Sequence, residues 1–247
     1  EAYSLCHDVI SRLATALRGE THFKKEIVFL PYNASMWDSL ESVWRAAVEN
    51  AEHCLVYVIP IPYAELVAER EVKAWHCDRE VFPADVPTVD YRAVDLAEMH
   101  PDVIFIHNPY DNCNTVTSVD PQYYSWELKK CTDCLVYIPY YVSLETTREE
   151  DYKNHVLTPA AIIVDRIIVQ SPAMRQIYVN LLLKYTTINE RAYWEKRILG
   201  LGSPKYDKVM SGTKERFPLP DAWAQKIKGH KVLLYNTSLD SLLVHSD

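Results

Sequence analysis

Short apolar runs recur along this chain, each joined to a segment with helical spacing, and that alternation restricts its fold more than any other feature. Residues 26–32 (EIVFLPY), 53–59 (HCLVYVI), 102–107 (DVIFIH), 134–140 (CLVYIPY) and 166–170 (RIIVQ) are nearly continuous in apolar and β-branched residues. A half-solvated strand would alternate with polar residues, so these runs predict strands covered on both faces. Between them lie helical patterns. After Ser35 and Asp38, which resemble a capping pair, apolar residues fall at Met36, Leu40, Val43, Trp44, Ala47 and Val48. Residues 91–100 (closed by Pro101), 121–130 and 158–164 read as further helices. Ser171-Pro172 opens another, with Met174, Ile177, Tyr178, Leu181, Leu182 and Tyr185 on its apolar face. The expected architecture is α/β: a doubly wound, mostly parallel, Rossmann-like sheet with helices on both faces.

Beyond these units, 197–199 predicts a short strand and 200–209 a turn and a helix start. Residues 1–216 therefore form the expected main domain. Residues 217–230 form a linker (Phe217-Pro218-Leu219-Pro220) with a helix at 221–228. Residues 231–247 begin with the strand-like 231–235 (KVLLY), either the last strand of the first domain or the first of a second, truncated one.

Composition narrows the function. Among 247 residues, 26 Lys and Arg stand against 34 Asp and Glu, a net charge of −8, and 48% of residues are apolar. Disorder is excluded, and the lack of a basic run argues against nucleic acid as partner. The longest apolar stretch, 54–64, carries Pro60 and Pro62 and is too short for a transmembrane helix. The chain starts at Glu1 without the apolar centre of a signal peptide and reads as an excised segment. Its six cysteines (Cys6, Cys54, Cys77, Cys113, Cys131, Cys134) read as reduced thiols of a cytoplasmic protein, compatible with a peripheral position at the inner membrane face and with a homo-oligomer. Five glycines include no dinucleotide fingerprint and no P-loop, and no G-x-S-x-G or Asp-x-Asp occurs. Cys131-x-x-Cys134 lacks a second pair, so neither a metal nor a cofactor is expected.

Ligands of open α/β sheets bind beyond the carboxyl ends of the strands. Here those ends read Pro31-Tyr32-Asn33, Pro60-Ile61-Pro62-Tyr63, His107-Asn108-Pro109-Tyr110-Asp111 and Pro139-Tyr140-Tyr141. Tyr32, Asn33, Asn108, Tyr110, Tyr140 and Tyr141 are the expected substrate-binding residues; alternatively the prolines only stop the strands and the tyrosines cap the core. His107, oriented by Asp111, is the best acid-base pair. Ser203 and Lys205, after Gly200-Leu201-Gly202, suit a phosphate.

Residues 165–171 (DRIIVQS) and 198–207 (ILGLGSPKYD) resemble the "aDxvivtS … GxPRxD" progression of the CDP-glycerol glycerophosphotransferase family and related GT-B glycosyltransferases. Residues 233–238 (LLYNTS) resemble that family's "lyaPTfR", which opens the donor-binding domain, and place Thr237 and Ser238 as donor-phosphate residues. PYNASMWDSLESVW and VYIPYYV are similar to a subgroup of bacterial glycosyltransferases. Tyr140-Tyr141 stands where the family has its catalytic His-Gly, and Leu239 where it has an arginine. The resemblance implies the acceptor-side domain of a two-domain transferase that moves a glycerophosphate or glycosyl group from a nucleotide-activated glycerol or sugar donor to a hydroxyl acceptor, in cell-surface polymer synthesis. The alternatives are a non-catalytic sugar- or nucleotide-binding module, or a free-standing single-domain enzyme.

Overall fold

A computed structural model describes residues 2–19, 24–143, 148–213, 218–233 and 235. The chain divides into two compact units, Glu1–Val209 and Met210–Asp247. The first begins with helix α1 (Ala2–Gly19), whose Leu5, Val9 and Leu13 side chains are exposed at i, i+4 and i+8. It then builds β1 (Lys25–Leu30), α2 (Glu41–Glu49) and β2 (Cys54–Val58). Next come β3 (Tyr63–Leu66), β4 (Val72–His76), α3 (Leu96–Met99), β5 (Val103–Ile106), β6 (Thr117–Val119), α4 (Ser125–Leu128) and β7 (Cys134–Tyr137). Its last elements are α5 (Lys153–Val156), α6 (Pro159–Ile163), β8 (Arg166–Ile168), α7 (Pro172–Tyr185), α8 (Arg191–Arg197), β9 (Ile198–Leu199) and α9 (Pro204–Met210), which ends at the boundary. The second unit contains α10 (Asp221–Ile227).

Six strands form one sheet in the order β2-β1-β5-β7-β8-β9, every pair parallel. Period-two alternation splits their side chains between two cores. Val28, Leu30, Ile104, Ile106, Leu135, Tyr137 and Ile167 face α4 to α8 through Leu128, Ala160, Met174, Leu182 and Trp194. Phe29, Val58, Val136 and Ile138 face the other way, onto Trp37, Leu40 and Trp44 before and within α2. Helices thus cover both faces of a Rossmann-like α/β sheet, as the continuous apolar runs require.

Several helices are shorter than their periodicity predicts, because acidic or amide side chains cap them midway. Residues 34–39 form a 3-10 turn that breaks at Leu40 before α2 starts. Its cap is Asn33 rather than the Ser35–Asp38 pair: Asn33 Oδ1 accepts from the Ser35 N–H at 2.9 Å. Asp95 caps α3, accepting from the Ala97 and Glu98 amides, so 91–100 divides into a turn and a four-residue helix. Residues 231–233 and 235 lie in none of the described strands, and β9 is the last described strand of the sheet.

A second sheet, antiparallel in the order β4-β3-β6, was not expected from the sequence. Its hairpin tip places Glu69 (φ 58°) and Arg70 (φ 63°) in the left-handed region, with the Glu71 N–H donating to the Ala68 carbonyl. That is the geometry of a turn favouring Asn-Gly. The double variant Glu69→Asn/Arg70→Gly should therefore raise stability by about 1 kcal/mol, measured by urea denaturation, with an unchanged slope.

Candidate functional site

The strand order reverses between β1 and β5, where the chain leaves β1 first toward β2 and later toward β7. At such a point the loops diverge and leave a crevice beyond the carboxyl ends. The predicted tyrosines gather there. Tyr32, which follows β1, packs edge-to-face on Tyr63 (5.4 Å), on His107 (5.3 Å) and on Tyr140 (6.5 Å). Tyr140 in turn meets Tyr110 at 6.5 Å and Tyr141 at 5.3 Å. Asn33 and Asn108 shape the adjoining turns through their amide oxygens, Asn108 accepting from the Tyr110 N–H at 3.3 Å. Tyr32 is buried and Tyr63, Tyr110, Tyr140 and Tyr141 are half-buried. Burial pushes the phenols of Tyr32, Tyr110, Tyr140 and Tyr141 above their ordinary range. They stay protonated, and serve to stack and to hydrogen-bond.

His107 lies at the centre of this cluster with no exposed surface. Its Nε2 accepts the Tyr32 backbone N–H at 3.1 Å. Its Nδ1 is 3.0 Å from Ser39 Oγ, which donates its own proton to the Met36 carbonyl at 2.7 Å. The only consistent assignment is a neutral ring with its proton on Nδ1, donated to Ser39. Burial lowers its pKa to about 3, and the nearby Lys205 charge acts in the same direction. Both ring nitrogens are committed to the protein, so the geometry makes His107 a bridge between strand ends and does not give it the part of a base.

Asp111 does not orient it. The Asp111 carboxylate turns to the start of α4, accepting from the Ser125 N–H at 3.0 Å and from Ser125 Oγ at 2.5 Å. Burial raises its pKa to about 6 against the opposing pull of those two bonds. The backbone of Asp111 is left-handed (φ 45°), a conformation Asp tolerates better than most residues.

Lys205 is held by Asp38, with Nζ at 2.7 and 2.9 Å from the two carboxylate oxygens, which matches the charge expected to meet a phosphate. Ser203 is buried just before α9. Thr237 and Ser238 lie outside the described residues. Among those described, no cluster of His, Cys, Asp and Glu suits a metal, and no helix is long and apolar enough to cross a membrane.

Three contributors were not placed in the site from sequence. Ser39 completes the His107 chain from 68 positions away. Tyr63 ends one of the recognised Pro-Tyr segments and donates to Asp78 Oδ1 at 3.3 Å, while Asp78 Oδ2 accepts the Ala34 N–H at 2.9 Å. Only Tyr63 carried a signal, its place in the recurring Pro-Tyr pattern.

The chain matches no protein-family model and no curated protein.

His107 and Asp111, both buried, oppose each other. His107 has a depressed pKa in the fold, so below about 6.5 the unfolded chain takes up a proton that the folded chain refuses, and stability falls with acidification. Asp111 has a raised pKa, so as pH falls through about 6 the folded chain takes up its proton first and stability is regained. Asp111→Asn removes the compensating half. Between pH 6 and 4 its stability should fall more steeply than the wild type's, by up to about 1.4 kcal/mol per pH unit in urea titrations. Separately, a Cβ on Gly200 would lie 2.7 Å from the Ser171 carbonyl oxygen and 2.8 Å from the Pro172 nitrogen. Gly200→Ala should cost about 2 kcal/mol in thermal unfolding, because backbone must move to admit the methyl group.

Proposed function

We propose that the carboxyl edge around β1 and β5 binds a hydroxyl-rich acceptor, within a doubly wound, GT-B-like acceptor-side domain of a bacterial transferase. The reaction is the transfer of a glycerophosphate or glycosyl group from a nucleotide-activated donor to that acceptor, in a cytoplasmic, membrane-peripheral setting. The observation that carries this reading is the neutral tyrosine rim at the strand-order reversal. Phenols stack on sugar rings and exchange hydrogen bonds with hydroxyls without the cost of stripping water from a charge. Lys205 is matched by Asp38. The rim therefore favours an uncharged acceptor over a donor diphosphate, and the diphosphate is assigned to the donor-binding half that the family resemblance implies. This chain's residues bind and orient the acceptor hydroxyl; proton removal falls to a group other than His107.

The binding-module reading has its own support. His107 and Asp111, the acid-base pair expected of an enzyme, are each engaged elsewhere.

Isothermal titration of the full chain with polyols and sugars, and a nucleotide-release assay with CDP-glycerol and UDP-sugars, separate the two. Acceptor binding that Tyr140→Ala weakens at least tenfold, with nucleotide release that depends on acceptor, is the expected result for the transferase. Binding without release establishes the module. Nucleotide binding with no polyol or sugar binding would overturn the acceptor-edge assignment.

A further inference from the structure

A small cleft lies beside the rim, at the carboxyl ends of β7 and β8, lined by Tyr141, Ser143, Gln170, Met174, Tyr178 and Ser203 among others. None of the described lining side chains carries a charge. Its free interior volume is about 10 Å³, room for one water or one hydroxyl group, and too little for a phosphate or a sugar ring.

Ser203, 9% exposed, lines it, and its Oγ is buried and makes no hydrogen bond among the described residues. Leaving a buried hydroxyl unpaired is destabilising, because its lost hydration is not replaced. Position explains the residue only in part: Ser203 precedes Pro204, where a serine side chain commonly caps a helix, yet the Tyr206 N–H bonds to the Ser203 carbonyl and not to Oγ. The hydroxyl is also held in place. Gly200 brings the backbone against Ser171 and Pro172, and the left-handed Gly202 (φ +116°) donates its N–H to the Val169 carbonyl at 3.1 Å. The opposite wall is clamped by the Gln170 amide, which donates to the Ser143 carbonyl and accepts the Ser143 N–H, both at 2.8 Å.

Two phenols complete the lining. The Tyr141 hydroxyl donates to the His155 carbonyl at 3.3 Å, and the Tyr178 oxygen lies 3.5 Å from it, at the outer limit of a hydrogen bond, so Tyr178 retains capacity for a better partner. Tyr141 also touches Tyr140 of the rim at 5.3 Å. Tyr141 therefore borders both the rim and the cleft.

We infer that this cleft is a subsite for a single hydroxyl group of a polyol or sugar lying on the tyrosine rim, paired by Ser203 Oγ. The inference rests on the proposed acceptor surface and adds a position to it. The small volume and the neutral described lining favour a hydroxyl over the phosphate expected at Ser203.

Saturation-transfer NMR on the full chain with millimolar glycerol and erythritol, and with glycerol 3-phosphate as the anionic arm, tests it. Ser203→Ala removes the hydroxyl and should weaken polyol binding about tenfold, while its melting temperature in buffer stays level or rises, since an unpaired group has been deleted. Ser203→Thr keeps the hydroxyl but fills the space with a methyl group and should weaken binding equally. Tyr140→Ala reports on the rim. Polyol binding lost in Tyr140→Ala but unchanged in both Ser203 variants would overturn the cleft and leave the rim standing. No polyol binding by the wild type would overturn both. A lower melting temperature for Ser203→Ala with unchanged polyol binding would make the hydroxyl structural and end the inference, as would glycerol 3-phosphate binding whose loss follows Ser203 while glycerol binding does not.

Discussion

The hydrogen-bonded chain through His107 joins the pieces on which the carboxyl edge depends. The Tyr32 N–H is an end-of-strand donor that the β1 ladder does not use, and the Met36 carbonyl lies in the first turn beyond β1. One neutral imidazole from the end of β5, with Ser39, pairs both groups. It thereby fixes how the chain turns out of β1 at the point where the strand order reverses. The tyrosines inherit their positions from that ring: Tyr32 and Tyr140 pack on it at 5.3 and 6.2 Å. A charged imidazolium would carry two ring donors and meet the Tyr32 N–H head on, so burial and bonding geometry both demand the neutral form.

Charge at this end of the molecule is organised differently. Helix α9 reaches the region before and within α2 through Lys205–Asp38 and Lys208–Glu41, with Ser42 donating to Asp207. Glu41 also holds Arg45. Burial would raise the Glu41 carboxyl, but hydrogen bonds from Arg45 and Lys208 outweigh it and hold the group below its usual range. Such pairs position α9 more than they stabilise it, because partly exposed ion pairs contribute little net free energy. They also match the local cations with carboxylates.

Much of the main sheet was legible because a parallel strand buried on both faces needs a continuous apolar run, and a chain of this composition has few ways to cover five of them. The antiparallel β4-β3-β6 sheet was not, because its strands are three to five residues long and pair across a gap from Leu66 to Thr117. Runs that short carry too little alternation to distinguish a strand from a loop. Helix lengths were overestimated where Asn33, Asp90 and Asp95 cap locally, since apolar spacing continues through a break that only hydrogen bonding reveals. In the site, the tyrosine rim was legible from Pro-Tyr pairs that both end a strand and supply a ring.

Sequence by itself determined which residues stand at the carboxyl edge, because the position of each apolar run and its terminating proline is a local property. Tertiary structure alone decided what those residues do. His107 became a buried bridge because its partners come from 68 and 75 positions away, and Lys205 was matched by a carboxylate 167 positions distant. A titratable side chain's charge and role follow from what surrounds it in space, and burial and pairing at that range exist only once the sheet has closed around them.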